Sequence, residues 1–557
     1  MKKSLILMIA MTILSLPGAL FADDLAGKGA KKVIRVAPAA PRFTDAERQA
    51  ELASRRAKVA SAMADNSVLV LFSADSKLYA NDVDYVFRQE NNHYYLTSLK
   101  LNGSTLVMSK RNGNVSEALF LPKRNPRAET WNGRMYSNSD AQRLSGIKTI
   151  VDSRELKAFL DALKGKIVFK SKDGVFSSFV PESVYLLQGN RREYKKENEF
   201  AKSLTAGTVR NAIPIFANLR LVKSPYEIKL MQHAVDITNE AHMRSMGVLG
   251  RSSWEYEVQA EVEYTFRRRN ADFWGYPSIV GCGPNATTLH YVEAQGKINK
   301  GDLMLMDVGA EYDHYTADIT RTFPVSGKFT KQQAEIYQIV YDAQEAAAKE
   351  IKPGAKISDA SRAAAKVIRE GLFKLGLITD VNSNQHRIWY MHGWGHWIGM
   401  NVHDVGNYGV TLKEGMMMSN EPGIYFREDA LEYLSDTPAN REFIAKVRPV
   451  FEKYKNIGVR IEDDMLVTKD GVEWMSKDLP RSIRDVEDFM AKASKEMAQY
   501  AATKSKIDPV LAVYGSGRSS YGLVHQSGVF ETLAVAQGKT LRAGWKNGAK
   551  TLNIHAH

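Results

Sequence analysis

"LMLMDVGAEYDHYTADITRTFPV", residues 303–325, reads as two apolar strand-like runs joined by a polar turn, yet each run carries an aspartate, Asp307 and Asp318. A reversal between Tyr312 and Asp313 makes this a hairpin and sets Asp307 directly opposite Asp318. Facing side chains on paired strands have Cβ atoms roughly 5 Å apart, where like charges repel. The pattern therefore asks for something cationic between the two carboxylates. Taken alone, an aspartate pair is explained as well by turn or edge positions facing water, so the reading depends on finding further ligands.

Four other stretches supply candidates. "PNATTLHYVEA" offers His290, and "HGWGHWIGMNVHD" holds His392, His396 and His403 among Gly393, Gly395 and Gly399. Those glycines disfavour a helix and so argue against a helical HExxH zinc motif. "MMMSNEPGIYF" puts Glu421 at the end of an apolar strand before a Pro-Gly turn, and "GVRIEDDMLV" places Arg460, Glu462 and Asp464 on one strand face by period two. Singly, each has an ordinary structural role as a core histidine, a capping carboxylate or a surface ion pair. Together, Asp307, Asp318, Glu421 and Glu462 bring four negative charges into one sheet interior, where unpaired burial is costly. Two divalent cations cancel those charges, and His396 completes a mixed oxygen and nitrogen ligand set.

At 557 residues the chain exceeds one ordinary core and predicts two domains with extensions, and 44% hydrophobic with 25% charged residues is a globular composition. Lys2 and Lys3 precede the apolar run "SLILMIAMTILSLPGALF" and the small residue Ala22, the layout of a secretory signal peptide. Pro17 and Gly18 break a run already short for a membrane span, and no other segment is long and apolar enough to cross a bilayer. The expectation is an exported protein, periplasmic or secreted, with no membrane attachment once the signal is removed. Its single cysteine, Cys282, allows no internal disulfide. The net charge of +13 is spread without a basic block, which argues against nucleic acid as a partner.

The expected organisation is a signal peptide over residues 1–22, a flexible basic linker over 23–42, an N-terminal domain over 43–208, a second domain over 209–480 and a C-terminal extension over 481–557. The first domain opens with a helical stretch, "AERQAELASRRAKVASAM", followed by strand-like runs such as "SVLVLF" and "STLVMS". In the second, Ser224, Pro225 and Glu227 predict a capping box opening a helix to about Met246, and Thr330 opens another. Two helices followed by sheet, twice over, predict an internally duplicated α+β domain.

The ligand-bearing motifs "MDVGAEY", "ADITRTFPV", "HGWGHWIGMNVHDVG", "NEPGIY" and "VRIEDD" resemble, in order and spacing, those of the Xaa-Pro aminopeptidase (aminopeptidase P) family of metallopeptidases. The resemblance extends through "DYVFRQENNHYYLTSL" and "ETWNGRMYS", covering roughly residues 43–480. It implies a C-terminal pita-bread domain behind a smaller α/β domain. It also implies a ligand set in which Asp307 holds one metal, His396 and Glu421 hold the other, and Asp318 and Glu462 bridge both. The family commonly uses manganese, and zinc, cobalt or iron fit the same ligands.

Two such ions roughly 3.5–4 Å apart share and activate a water, beside which Glu421 would act as general base and then as proton donor to the prolyl nitrogen. By resemblance His403 and His290 donate hydrogen bonds to the reacting carbonyl, His392 belongs to the pocket, and Arg460 orients the carboxylates. Tyr425 and Trp131 are candidates for lining a proline pocket, with plain packing the equal alternative. The implied partners are peptides with proline second, handled by a homo-oligomer. The alternatives are a prolidase with the same metal set and a non-catalytic binding module on the same fold. Retention of all five ligands argues against the latter.

Overall fold

The capping residues read from the sequence do open the helices of the second domain. In the computed structural model, which describes residues 32–205 and 208–507, Ser224 Oγ accepts from the Glu227 amide while the Glu227 carboxylate accepts from the Ser224 amide. Pro225 supplies the first position of the helix Pro225–Val248. Thr330 and Gln333 repeat the device at the start of Lys331–Glu350. Each of these helices has a following partner, Glu255–Arg268 and Ile357–Leu375, the latter ended by Gly376 in a left-handed conformation.

Behind each helix pair stands a three-stranded antiparallel sheet. The first orders Ile279–Cys282, Leu303–Val308 and Ile319–Pro324, and the second Met417–Asn420, Asp463–Val467 and Val472–Trp474. The repeated order matches the expected α+β pattern. Among the described residues a single backbone bridge, Thr320 to Glu462, links the two sheets, with amide-to-carbonyl distances of 3.3 and 3.0 Å. Met304, Met306 and Phe323 from one sheet and Met418, Met465 and Val467 from the other bury into one apolar core with Ile336, Val340 and Ile368 of the helices.

The N-terminal region is a six-stranded mixed sheet ordered Thr149–Asp152, Asn114–Leu121, Thr105–Arg111, Ser67–Phe72, Ser183–Leu186 and Val209–Asn211. Ser67–Phe72, buried at every position, pairs antiparallel on one side and parallel on the other. The helix Asp45–Ala62 covers the expected opening stretch. Residues 32–494 make one compact unit, and the described residues beyond it, 495–507, are the end of the helix Ile483–Ile507. No helix among the described residues is long and apolar enough to cross a membrane. The expected export signal over 1–22, residues 23–31 of the linker and the part of the extension beyond 507 lie outside the described residues.

Two expectations change. The hairpin reverses at Asp313 and His314, not between Tyr312 and Asp313, so Asp307 faces Thr320 and Asp318 lies one step along the diagonal. The reason is the turn: both Asp313 (φ 50°) and His314 (φ 69°) take left-handed backbone, as a tight two-residue hairpin turn requires, and aspartate tolerates that conformation. The described end of the linker is also not a free tether. The Ala37 amide donates to Glu240 Oε2 at 2.8 Å and Ile34 is buried, so residues 34–37 lie along the helix Pro225–Val248.

Candidate metal centre

The strand Leu303–Val308 carries Asp307, and Asp318 stands immediately before Ile319–Pro324 on the same face. Tyr276 Oη lies 2.5 Å from both Asp307 Oδ1 and Asp318 Oδ1, so one hydroxyl proton serves two anions. Glu462 sits at the break between Gly458–Arg460 and Asp463–Val467, and its Oε2 accepts from Thr320 Oγ1 at 2.6 Å. Arg460 ties these together. Its guanidinium donates to Asp307 Oδ2, to Thr320 Oγ1 at 3.1 Å and to Tyr425 Oη at 2.8 Å, with Nε 3.7 Å from Glu462 Oε2.

His396 arrives on the glycine-rich loop. Its Nδ1 donates to the Trp397 carbonyl at 3.1 Å, leaving Nε2 free to coordinate, 3.2 Å from Asp318 Oδ2 and 3.3 Å from Glu421 Oε1. Ser419 aligns the two chains: its Oγ accepts from the His396 amide and donates to Glu421 Oε1 at 3.1 Å. Gly395 is required by this approach, because a Cβ there would stand 2.4 Å from the Ser419 carbonyl oxygen. Gly395→Ala is expected to cost about 1–3 kcal/mol through backbone displacement and to weaken metal binding with it. Thermal melting and a metal titration on the same variant check this, and an unchanged pair of values would contradict the close approach.

Charge completes the description. Burial pushes the Asp307 carboxyl up to about 6 against the pull of Arg460, and Glu421 up to about 7 against that of His396. Burial with Asp318, Glu421 and Asp307 nearby drives Glu462 well above the usual carboxylate range. Asp318 runs the other way, since its hydrogen bond to His396 and that ring's charge outweigh burial and hold it low. Burial opposes the charged form of His396, yet Asp318 and Glu421 raise the ring to about 9. The cluster is short of positive charge. Ligand atoms of Asp318, His396 and Glu462 lie within 4.8 Å of one another, so an oxygen-rich set with one imidazole converges where a divalent cation fits.

The structure brings together seven more residues around that point. His403 packs edge-on against His396 with ring centroids 4.2 Å apart and is open to solvent. His392 donates from Nδ1 to the Gly393 carbonyl and accepts at Nε2 from Tyr425 Oη, and burial depresses its basicity to about 3. His290, exposed, stands near enough to lower the basicity of both His392 and His403. Tyr276, Thr320, Ser419 and Asp464, whose Oδ2 accepts from the Asp318 amide at 3.0 Å, complete the surround.

Three expectations are corrected. Tyr425 is fully buried beside Ile279, Ala286 and Leu305 and holds Arg460 and His392 with its hydroxyl, so it cannot line an open pocket. Trp131 is 81% exposed on the short helix Pro126–Asn132, and no hydrogen bond or ring contact among the described residues joins it to the cluster. The expected Pro-Gly turn after Glu421 is instead a break between the strands Met417–Asn420 and Gly423–Tyr425. Arg460, only 4% exposed, orients carboxylates and does not offer a substrate contact. Tyr276 and Thr320 carry no sign in the sequence: the first reaches Asp307 from a loop 31 residues upstream, and the second faces it only in the register that the turn sets.

The family model described as metallopeptidase family M24 matches residues 229–469, and that of the aminopeptidase P N-terminal domain matches residues 52–169. The chain is 36% identical to the Xaa-Pro aminopeptidase of Haemophilus influenzae over 449 residues, which cover 79% of this chain and 97% of that protein. It is 33% identical to the Xaa-Pro aminopeptidase of Escherichia coli over 458 residues, 80% of this chain and 98% of that one. A solved structure of Zn-substituted E. coli aminopeptidase P in complex with product superposes with a TM-score of 0.70 at 30% identity, covering 80% of this chain and 98% of the other. The protein belongs to the Xaa-Pro aminopeptidase family, with the pita-bread fold of its C-terminal domain.

Proposed function

We propose that this protein is a metal-dependent aminopeptidase that releases the first residue of peptides whose second residue is proline. The carrying observation is the convergence of buried Asp307, Asp318 and Glu462 with half-buried His396 and Glu421 in a chain of that family. We assign the site two divalent ions, Asp307 holding one, His396 and Glu421 the other, and Asp318 and Glu462 both. Manganese is assigned before zinc, cobalt or iron on the oxygen-rich ligand set. When bound, such ions supply Lewis acidity that activates water at neutral pH.

The chain's own groups handle the protons. Glu421, its carboxyl held near neutrality, takes a proton from the attacking water and returns it to the prolyl nitrogen, which must be protonated to leave. Partial desolvation and the neighbouring His396 and His290 rings lower the basicity of His403, which favours a neutral ring able to donate one N–H to the carbonyl oxygen as charge develops there. His290 stands as a second donor, and His392 as part of the wall.

The reading is tested with an Xaa-Pro-Yaa tripeptide, its alanine analogue and an Xaa-Pro dipeptide, each with manganese and after chelation. The tripeptide is expected to be cut best, the alanine analogue to lose most of kcat/KM, and all activity to vanish on chelation. A clear preference for the dipeptide would make the enzyme a prolidase.

A further inference from the structure

The loop from Trp397 to Val402 separates His396 from His403, and its backbone is held at few points: the Gly399 amide donates to the Asn401 carbonyl at 3.2 Å and the Ile398 amide to the Met417 carbonyl at 3.3 Å. The Asp404 amide donates to the Trp397 carbonyl at 2.8 Å, and the Gly399 carbonyl accepts from Thr316. The rest of its support comes from elsewhere in the chain. Arg88 donates from Nη2 to the Met400 carbonyl at 2.7 Å, from Nε to Glu311 and from Nη1 to Asn91. Asn91 Nδ2 donates in turn to Asn401 Oδ1 at 2.8 Å.

Behind the loop Asp404 is buried against two cations. Arg220 Nη2 donates to its Oδ1, and Lys223 Nζ stands 4.0 Å from its Oδ2. Arg220 Nη1 donates to Asn92 Oδ1, the residue next to Asn91. A short segment of the N-terminal region, 88–92, therefore grips the loop on both sides, directly at Met400 and Asn401 and through Arg220 at Asp404. Burial at 1–2% of side-chain surface leaves the Arg220–Asp404 pair little solvent screening.

We propose that Arg88, Asn91 and the Arg220–Asp404 pair are positioning residues for His403, holding its loop so that the ring meets the carbonyl oxygen of the scissile bond. This rests on the reading of His403 as a hydrogen-bond donor. The segment 88–92 then does more than shape an entrance: it sets the geometry of a group that none of its own side chains touches. The role predicts an effect on turnover and not on substrate affinity, and one that exists only while His403 is present.

The test is a pair of double-mutant cycles on the full-length, manganese-loaded protein with a tripeptide substrate. Arg88→Gln and Asp404→Asn are each combined with His403→Ala, and kcat, KM, metal content and melting temperature are measured throughout. His403→Ala alone should lower kcat on the order of 10²–10³-fold. Each positioning variant should lower kcat by about tenfold or more with KM and metal content unchanged, and by less than about threefold in the His403→Ala background. Losses of equal size on both backgrounds, or losses that follow metal content or melting temperature alone, overturn the proposal. A parent-like His403→Ala enzyme overturns the reading of His403 itself, a distinct result. If Asp404→Asn does not fold, Arg88→Gln decides, since that side chain is 38% exposed and its loss creates no buried cavity.

Discussion

Asp318→Asn is expected to yield a folded protein that binds divalent metal more than about 10²-fold more weakly than the parent, because altering the partners behind a ligand already costs 10–100-fold. Peptidase activity should fall with metal content and return in part at high metal concentration. The substitution keeps shape but removes the carboxylate charge closest to His396, one that also acts on Glu462 and shares the Tyr276 hydroxyl with Asp307. Metal analysis by mass spectrometry alongside activity decides the matter. Full activity at ordinary metal concentration would take Asp318 out of the ligand set.

Glu421→Gln probes the proton route. Its carboxyl lies between the Ser419 hydroxyl at 3.1 Å and His396 Nε2 at 3.3 Å, and burial holds it near 7, where it can both accept and return a proton. Glutamine can still present an oxygen ligand but cannot carry the proton. At saturating metal, kcat is expected to drop by about 10²–10⁴-fold with KM little changed. A variant that regained parent turnover once metal was saturating would reduce Glu421 to a ligand, and the base would have to be sought elsewhere.

How far the sequence carried these conclusions depends on the range of the interactions involved. Ser224 with Glu227 and Thr330 with Gln333 are three residues apart, so the capping boxes and the helices behind them could be read from local letters. Four of the five proposed ligands were legible in the sequence because carboxylates in or beside apolar runs need an explanation, whatever the register. The register itself was not. Placing the reversal one residue early set Asp307 against Asp318, and only the left-handed backbone at Asp313 and His314 moves the partner to Thr320. Tyr276 and Arg88 act across 31 and 223 residues respectively, distances at which no sequence period survives. Tyr425 and Trp131 went astray for a related reason: an aromatic side chain near a motif can face the site, the core or the solvent, and its letter does not say which.

The bridge between Thr320 and Glu462 has a bearing on when this protein can become a protease. Among the described residues it is the one backbone bridge between the two sheets, and the proposed ligands lie on either side of it, Asp307 and Asp318 in one half and His396, Glu421 and Glu462 in the other. A chain that has been made only as far as residue 461, or one clipped between the halves, holds no more than part of the set. A complete metal set is thus expected only once residue 462 has been made and the two sheets have met along this seam.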